Sequence, residues 1–344
     1  MSACELDRPM GKADRPRTTG QLMKSMRKLG DYDLDVDDAD TSIEIGSAQE
    51  MELFDRLVVR GRGNSTFERA GPFWQMACLR ARKYNVERAY VLVTNYIKWR
   101  DEFGVNRTTV DNDSEYRALV ERGVVEACGN RDQDGHYVLT VRQCRTDPGR
   151  WSPRYAVLAA HVAIESLLVR FPEAQAKGVA FVNDMSGISM RNMDSRVPRE
   201  MFAAFRDKLP VRFAGLYVVH PPMFMRMVAP VIKMFMSTKM QSRMRVLTHG
   251  YDDLKLHFDA SQLPTDFGGS YPYSHEAYMT FVSEMQHHYN QQRSINGELF
   301  SDNKAPAEDS DSGKEPSICS AATTCSIHEA WMDFTIEPDN ERFV

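Results

Sequence analysis

The stretch Phe213-Ala-Gly-Leu-Tyr-Val-Val-His220, running into Pro221-Pro-Met-Phe-Met-Arg-Met-Val-Ala-Pro-Val-Ile-Lys233, sets a nearly continuous apolar run directly before a methionine-rich segment. A strand that is apolar at almost every position, instead of at alternate ones, is one covered on both faces, as in a parallel sheet. Two β-type runs precede it, Tyr137-Val-Leu-Thr-Val141 and Gly178-Val-Ala-Phe-Val-Asn183, and a weaker one, Met244-Arg-Val-Leu-Thr-His249, follows. Helical patterns at 155–171 and 198–208 separate the strands. Strands alternating with helices in this way predict an α/β domain with a largely parallel or mixed sheet.

Upstream the texture is helical. Apolar residues recur at helical spacing through 50–59 and 73–82, and most regularly over Val86–Phe103, where Ala89, Leu92, Val93, Tyr96, Ile97 and Trp99 form one face. Asn85 is placed to cap that helix, although Arg88 stands where a capping box would have Glu. A further helix is expected over Ser114–Cys128, stopped by Gly129-Asn130. Residues 1–50, with six aspartates between Asp31 and Asp40, read as a disordered acidic arm. The expected organisation is this arm, a helical unit over 51–130, the α/β domain over 131–296 and a mostly disordered acidic tail over 297–344. Leu263-Pro-Thr-Asp-Phe-Gly-Gly269 closes the α/β domain, and a surface helix is expected over Ser274–Ser294.

Composition removes several function classes. A net charge of −5 gives no general attraction to nucleic acid. No apolar run reaches the roughly 18 residues of a membrane span, and the N-terminus lacks the pattern of a secretory signal. The six cysteines are scattered without a C-x-x-C pair, which suits reduced thiols in a cytoplasmic protein. There is no phosphate loop, dinucleotide fingerprint, H-E-x-x-H or G-x-S-x-G motif. The expectation is therefore a protein without catalytic residues, metal or cofactor.

One region breaks the average. Seven of the chain's 20 methionines fall between Met223 and Met244. The same region lies inside an interval, 208–251, that contains no Asp or Glu and carries Lys208, Arg212, Arg226, Lys233, Lys239, Arg243 and Arg245. Methionine is unbranched and adaptable, suited to apolar surfaces that change. Pro230 is expected to end or kink a helix there. Three readings fit: a crossover helix packed on the sheet, a movable lid over a lipid-sized cavity, or a surface for a protein partner.

These residues resemble the CRAL-TRIO (Sec14-like) family, nearest the α-tocopherol-transfer and retinaldehyde-binding subgroup. The resemblance lies in Cys78-Leu-Arg-Ala-Arg-Lys-Tyr-Asn-Val-Glu-Arg-Ala89 with Asn95-Tyr-Ile-Lys-Trp-Arg100, in Asp134-Gly135, in Asp184-Met-Ser-Gly187, in Val219-His-Pro-Pro-Met-Phe224 and in Leu263–Gly269, in that order over about 70–290. His220 stands where the family usually has Asn, and Met234 where it often has Pro. The resemblance implies a helical N-terminal domain followed by an α/β/α lipid-binding domain with a helical lid. It implies non-catalytic carriage of a retinoid, tocopherol or similar lipid between membranes, with the protein peripherally and reversibly attached. Arg212, Lys239 and Arg243 match positions that contact phosphoinositide headgroups, with Arg245 as alternative to Arg243 and Arg80 or Arg82 as a further contact. Phe181, Tyr217, Val219, Met223, Phe224, Met227, Val231 and Phe235 are the implied cavity and lid residues. The alternative function is a protein-binding scaffold that keeps the fold without carrying lipid.

Overall fold

The computed structural model describes residues 43–192, 194 and 196–295, so the expected acidic arm and tail lie almost wholly outside the described residues. Helices α1 (Ala48–Gly61), α2 (Ser65–Glu68), α3 (Gly71–Ala81) and α4 (Val86–Phe103) form the N-terminal part. The Asn85 side chain accepts a hydrogen bond from Arg88 N at 3.0 Å, and Gly104 closes α4 in the left-handed conformation. That cap and stop explain why the strongest sequence pattern has those ends.

Helix α5 spans only Ser114–Glu121, and the chain then enters strand β1 (Val125–Arg131). The helix expected to continue to Cys128 is corrected here. Val125, Glu126, Ala127 and Cys128 are all buried, so the strand shows no alternation of apolar and polar positions. Glu126 is tolerated inside because Arg142 and His275 pair with it and the Tyr273 hydroxyl donates to it at 2.8 Å.

Strands β2 (Tyr137–Arg142), β3 (Val179–Asp184), β4 (Phe213–Val219) and β5 (Met244–Leu247) complete a five-stranded sheet in the order β1-β2-β3-β4-β5. β1 pairs antiparallel with β2, and the other pairs are parallel. Helix α6 (Pro153–Arg170), short α7 (Glu173–Lys177) and α8 (Arg196–Asp207) provide crossovers. One face of the sheet turns Val138, Ala180, Val182, Tyr217, Val219 and Leu247 toward Leu254, Phe258, Leu263 and Phe267 of the closing segment. On the other face Leu139, Val179 and Phe181 join the main core with α6. Helix α11 (His275–Ile295) packs back on α6 and β1.

The Met-rich segment forms α9 (Met225–Lys233) and α10 (Thr238–Ser242), with a break at 234–237. Of the two outcomes expected of Pro230, an end or a kink, the end does not occur: α9 runs through it for three more residues. Pro230 is exposed, so water can bond the carbonyl that its missing N–H leaves open. Among the described residues, no helix is long and apolar enough to cross a membrane.

Candidate functional site

Side chains alternate across a strand, so β4 offers two sets of residues to two environments. Tyr217 and Val219 belong to the face covered by the closing segment. Leu216 and Val218 belong to the other face, together with Asn183 of β3 and Met244 of β5, and these four line a cleft. Asn183 pairs in register with Val218, and Leu216 with Met244, which fixes their common direction.

Helix α9 forms the opposite wall through Met225, Ala229 and Ile232. Their spacing of four and three residues places them on one helical face. Met185, Trp151 and Val197 of α8 extend the apolar lining of this partly open cleft. Thr146, Asp147, Asn192 and Asp194 contribute polar groups to the same wall.

The sequence-expected cavity residues divide accordingly. Tyr217 and Val219 lie on the opposite side of the sheet from this cleft: the apolar run of β4 identifies a strand covered twice but not which parity meets α9. The Tyr217 hydroxyl donates instead to Asp132 at 3.1 Å. Phe181 faces the α6 side but stacks on Phe213 at 5.9 Å within the main core, away from the cleft lining. Phe224 packs on the small cluster of Met185, Ile188 and Val218, while Met223 is 75% exposed. Phe235 is half-buried in the turn after α9. The side chains of Met227 and Val231 lie outside the described ones. The residues missed, Leu216, Val218, Met225, Ala229, Ile232 and Met244, carry a usable signal only once the register of β4 with its neighbours is known.

The basic candidates separate in the same way. Arg80 is 1% exposed; its guanidinium donates to both oxygens of Glu50, at 2.7 and 2.8 Å, and to Gln175 at 2.9 Å. That inward pairing removes Arg80 from any headgroup surface. Arg82 follows α3 as its half-buried C-cap. Arg212 donates to the Ala176 carbonyl and Arg243 to the Phe213 carbonyl, so these two guanidinium groups bracket the start of β4. Lys239 sits one turn before Arg243, on α10. Arg245 stands apart: its guanidinium lies 5.4 Å from the Tyr217 ring centroid, on the far face.

The strand-to-lid junction is held by His220, whose φ of 51° lies in the left-handed region. Few residues with a Cβ adopt it; Asn and His are enriched among them. The His220 ring meets Tyr251 edge-on at 4.5 Å, and the Tyr251 hydroxyl donates to Asp184 at 3.0 Å. Gly250, itself at φ 66°, makes room: a Cβ there would lie 2.0 Å from His220 Nε2.

Residues 121–269 match the CRAL/TRIO domain. Clavesin-1 of Rattus norvegicus is 29% identical over 228 residues, a match covering 63% of this chain and 62% of that protein. Alpha-tocopherol transfer protein-like of Mus musculus is 25% identical over 201 residues, covering 56% of each chain. The match thus spans less than two thirds of these relatives' length. The crystal structure of Sfh5 aligns with 74% of this chain and all of its own, at 14% identity and a TM-score of 0.48.

Proposed function

Because its CRAL/TRIO domain places this chain in the CRAL-TRIO (Sec14-like) family, we propose that it binds one small hydrophobic molecule beneath α9 and exchanges it with membranes. A retinoid, a tocopherol or a similar lipid fits the reading, and no covalent step is required. The observation that carries it is the cleft between the sheet and α9, where Leu216, Val218 and Met244 face Met225, Ala229 and Ile232. A space so lined lowers its free energy by excluding water in favour of an apolar guest, by about 25 cal/mol per Å² of apolar surface buried.

Exchange requires α9 to move. Prolines 221 and 222 precede it, Pro230 interrupts its hydrogen bonding, and exposed Met223 and Met234 flank it. These methionines suit transient insertion among acyl chains. Arg212, Lys239 and Arg243, with Arg82 as an outlying candidate, are assigned to phosphoinositide headgroups. Attachment is accordingly peripheral and reversible, from the cytoplasm.

Transfer of a fluorescent retinoid or tocopherol analogue between vesicles tests the reading. Transfer to phosphoinositide-containing vesicles should slow at least several-fold when Lys239 and Arg243 are both replaced by Gln. Unchanged transfer removes the docking role, and absent uptake by the unaltered protein favours a scaffold that keeps the fold without lipid.

A further inference from the structure

Strand β5 is the last of the sheet, and among the described residues it pairs only with β4. Leu216 N donates to the Arg243 carbonyl at 3.1 Å, so the alternation of an extended backbone turns the N–H and C=O of Met244 and Val246 away from β4. An edge of this kind is a template for a further strand. Its side chains differ in character across the sheet. Arg245 is exposed on the far face, whereas Met244 lines the cleft side and Val246, of the same parity, is 50% exposed. A strand that fits beside β5 carries acids on one face and apolar residues on the other.

The chain contains such a segment outside the described residues. Asp31, Asp33, Asp35 and Asp37 alternate with Tyr32, Leu34 and Val36, which is the two-residue period of an amphipathic strand. From 297 to 344 no seven-residue run alternates acids with apolar residues. The root of the arm lies at the matching end of the sheet. Gly46 N donates to Glu50, Arg80 joins Glu50 to Gln175, and the next residue, Ala176, accepts from Arg212 at the start of β4. Arg243, the residue before β5, reaches the Phe213 carbonyl at that same end. Extended chain covers about 3.3 Å per residue, so the stretch from Gly46 back to Asp37 spans up to about 30 Å, against the roughly 10 Å that separates β3 from β5.

We propose that residues 31–37 dock in cis along the outer edge of β5 as a sixth strand, with the aspartates beside Arg245 and with Tyr32, Leu34 and Val36 beside Met244 and Val246. The docked aspartates also bring negative charge to Arg243. Docking itself does not depend on lipid carriage. Its consequence, competition with phosphoinositide headgroups for Arg243, rests on the headgroup assignment made above.

Backbone hydrogen exchange of the full chain, read by NMR at the amides of Met244 and Val246, tests the docking. In the unaltered chain both amides should exchange at least about tenfold more slowly than in two variants. One is Leu34→Pro, which removes a strand donor, and the other replaces Asp31, Asp33, Asp35 and Asp37 all by Asn. Exchange at Leu139, buried inside the sheet, should be the same in all three proteins and reports an intact fold. Fast exchange of both edge amides in the unaltered chain overturns the proposal. So does protection that persists in both variants, which assigns the edge to another segment, or protection that rises with protein concentration, which assigns it to a second copy. Phosphatidylcholine vesicles containing phosphatidylinositol bisphosphate should bind either variant several-fold more tightly than the unaltered chain, and equal binding by all three overturns the competition. If none of the three binds these vesicles, the headgroup assignment fails while the exchange result still decides the docking.

Discussion

Arg80 and Glu50 form a two-toothed ion pair, Nε to Oε1 at 2.7 Å and Nη2 to Oε2 at 2.8 Å, with both side chains 1% exposed. The pair ties α1 to α3, and Gln175 continues it into the α/β part. Tyr84 OH and Gly46 N also donate to the Glu50 carboxylate, at 2.9 and 2.7 Å. Removing one partner leaves a buried charge uncompensated. Arg80→Met should therefore lower stability by about 3–5 kcal/mol in urea unfolding, whereas Arg80→Met with Glu50→Leu should cost clearly less than Arg80→Met alone.

The same carboxylate predicts an acid limb. Burial pushes Glu50 up, but the Arg80 hydrogen bonds and charge, with Gly46 and Tyr84, outweigh it and hold the group below its ordinary value of 4.5. A carboxyl depressed on folding stabilises fully above that ordinary value and loses its contribution as pH falls through the lower, folded one. Glu126 behaves alike: burial raises it, and the His275 hydrogen bond, the Arg142 charge and Tyr273 together prevail. Melting temperature should fall steeply below about pH 4.5, and Glu126→Gln should flatten that limb while lowering the plateau.

Gly250 is constrained twice, by φ 66° and by the His220 ring that a Cβ would strike. Gly250→Ala should cost roughly 1–3 kcal/mol. Adding His220→Ala removes the ring but not the backbone strain, so chemical unfolding should show partial rescue. Full additivity of the two changes would mean that the ring does not press on this turn.

The position of the cleft separates two faces of one strand. Ala229→Phe fills the cleft from α9 and should reduce uptake of a fluorescent lipid at least tenfold, with a melting temperature close to that of the unaltered protein. Tyr217→Phe, on the far face, removes the hydrogen bond to Asp132 and should cost about 0.5–1.5 kcal/mol while leaving uptake unchanged. The reverse pattern would return the cavity to the Tyr217 side.

Much of the fold was legible in the sequence because particular residues announce it. Asn85 and Gly104 bound α4, and the apolar run of β4 marks a strand buried on both sides. β1 was hidden because Glu126 is buried against Arg142, an interaction between strands that no local pattern displays. The candidate site was legible as a region and not as a set of atoms. Two basic residues near one another in sequence, Arg80 and Arg82, look alike until Glu50, 30 positions earlier, is seen to take one of them inward. Likewise the two parities of β4 are equally apolar, and only its pairing with β3 and β5, beneath α9, decides which one meets the cleft.

Native mass spectrometry of the purified chain, before and after incubation with phospholipid vesicles that contain a retinoid or a tocopherol, bears most directly on lipid carriage. One neutral lipid should be retained per chain, and Ala229→Phe should retain none under the same conditions. A folded protein that carries no lipid in either state, or an Ala229→Phe variant loaded as fully as the unaltered chain, would contradict a lipid site beneath α9.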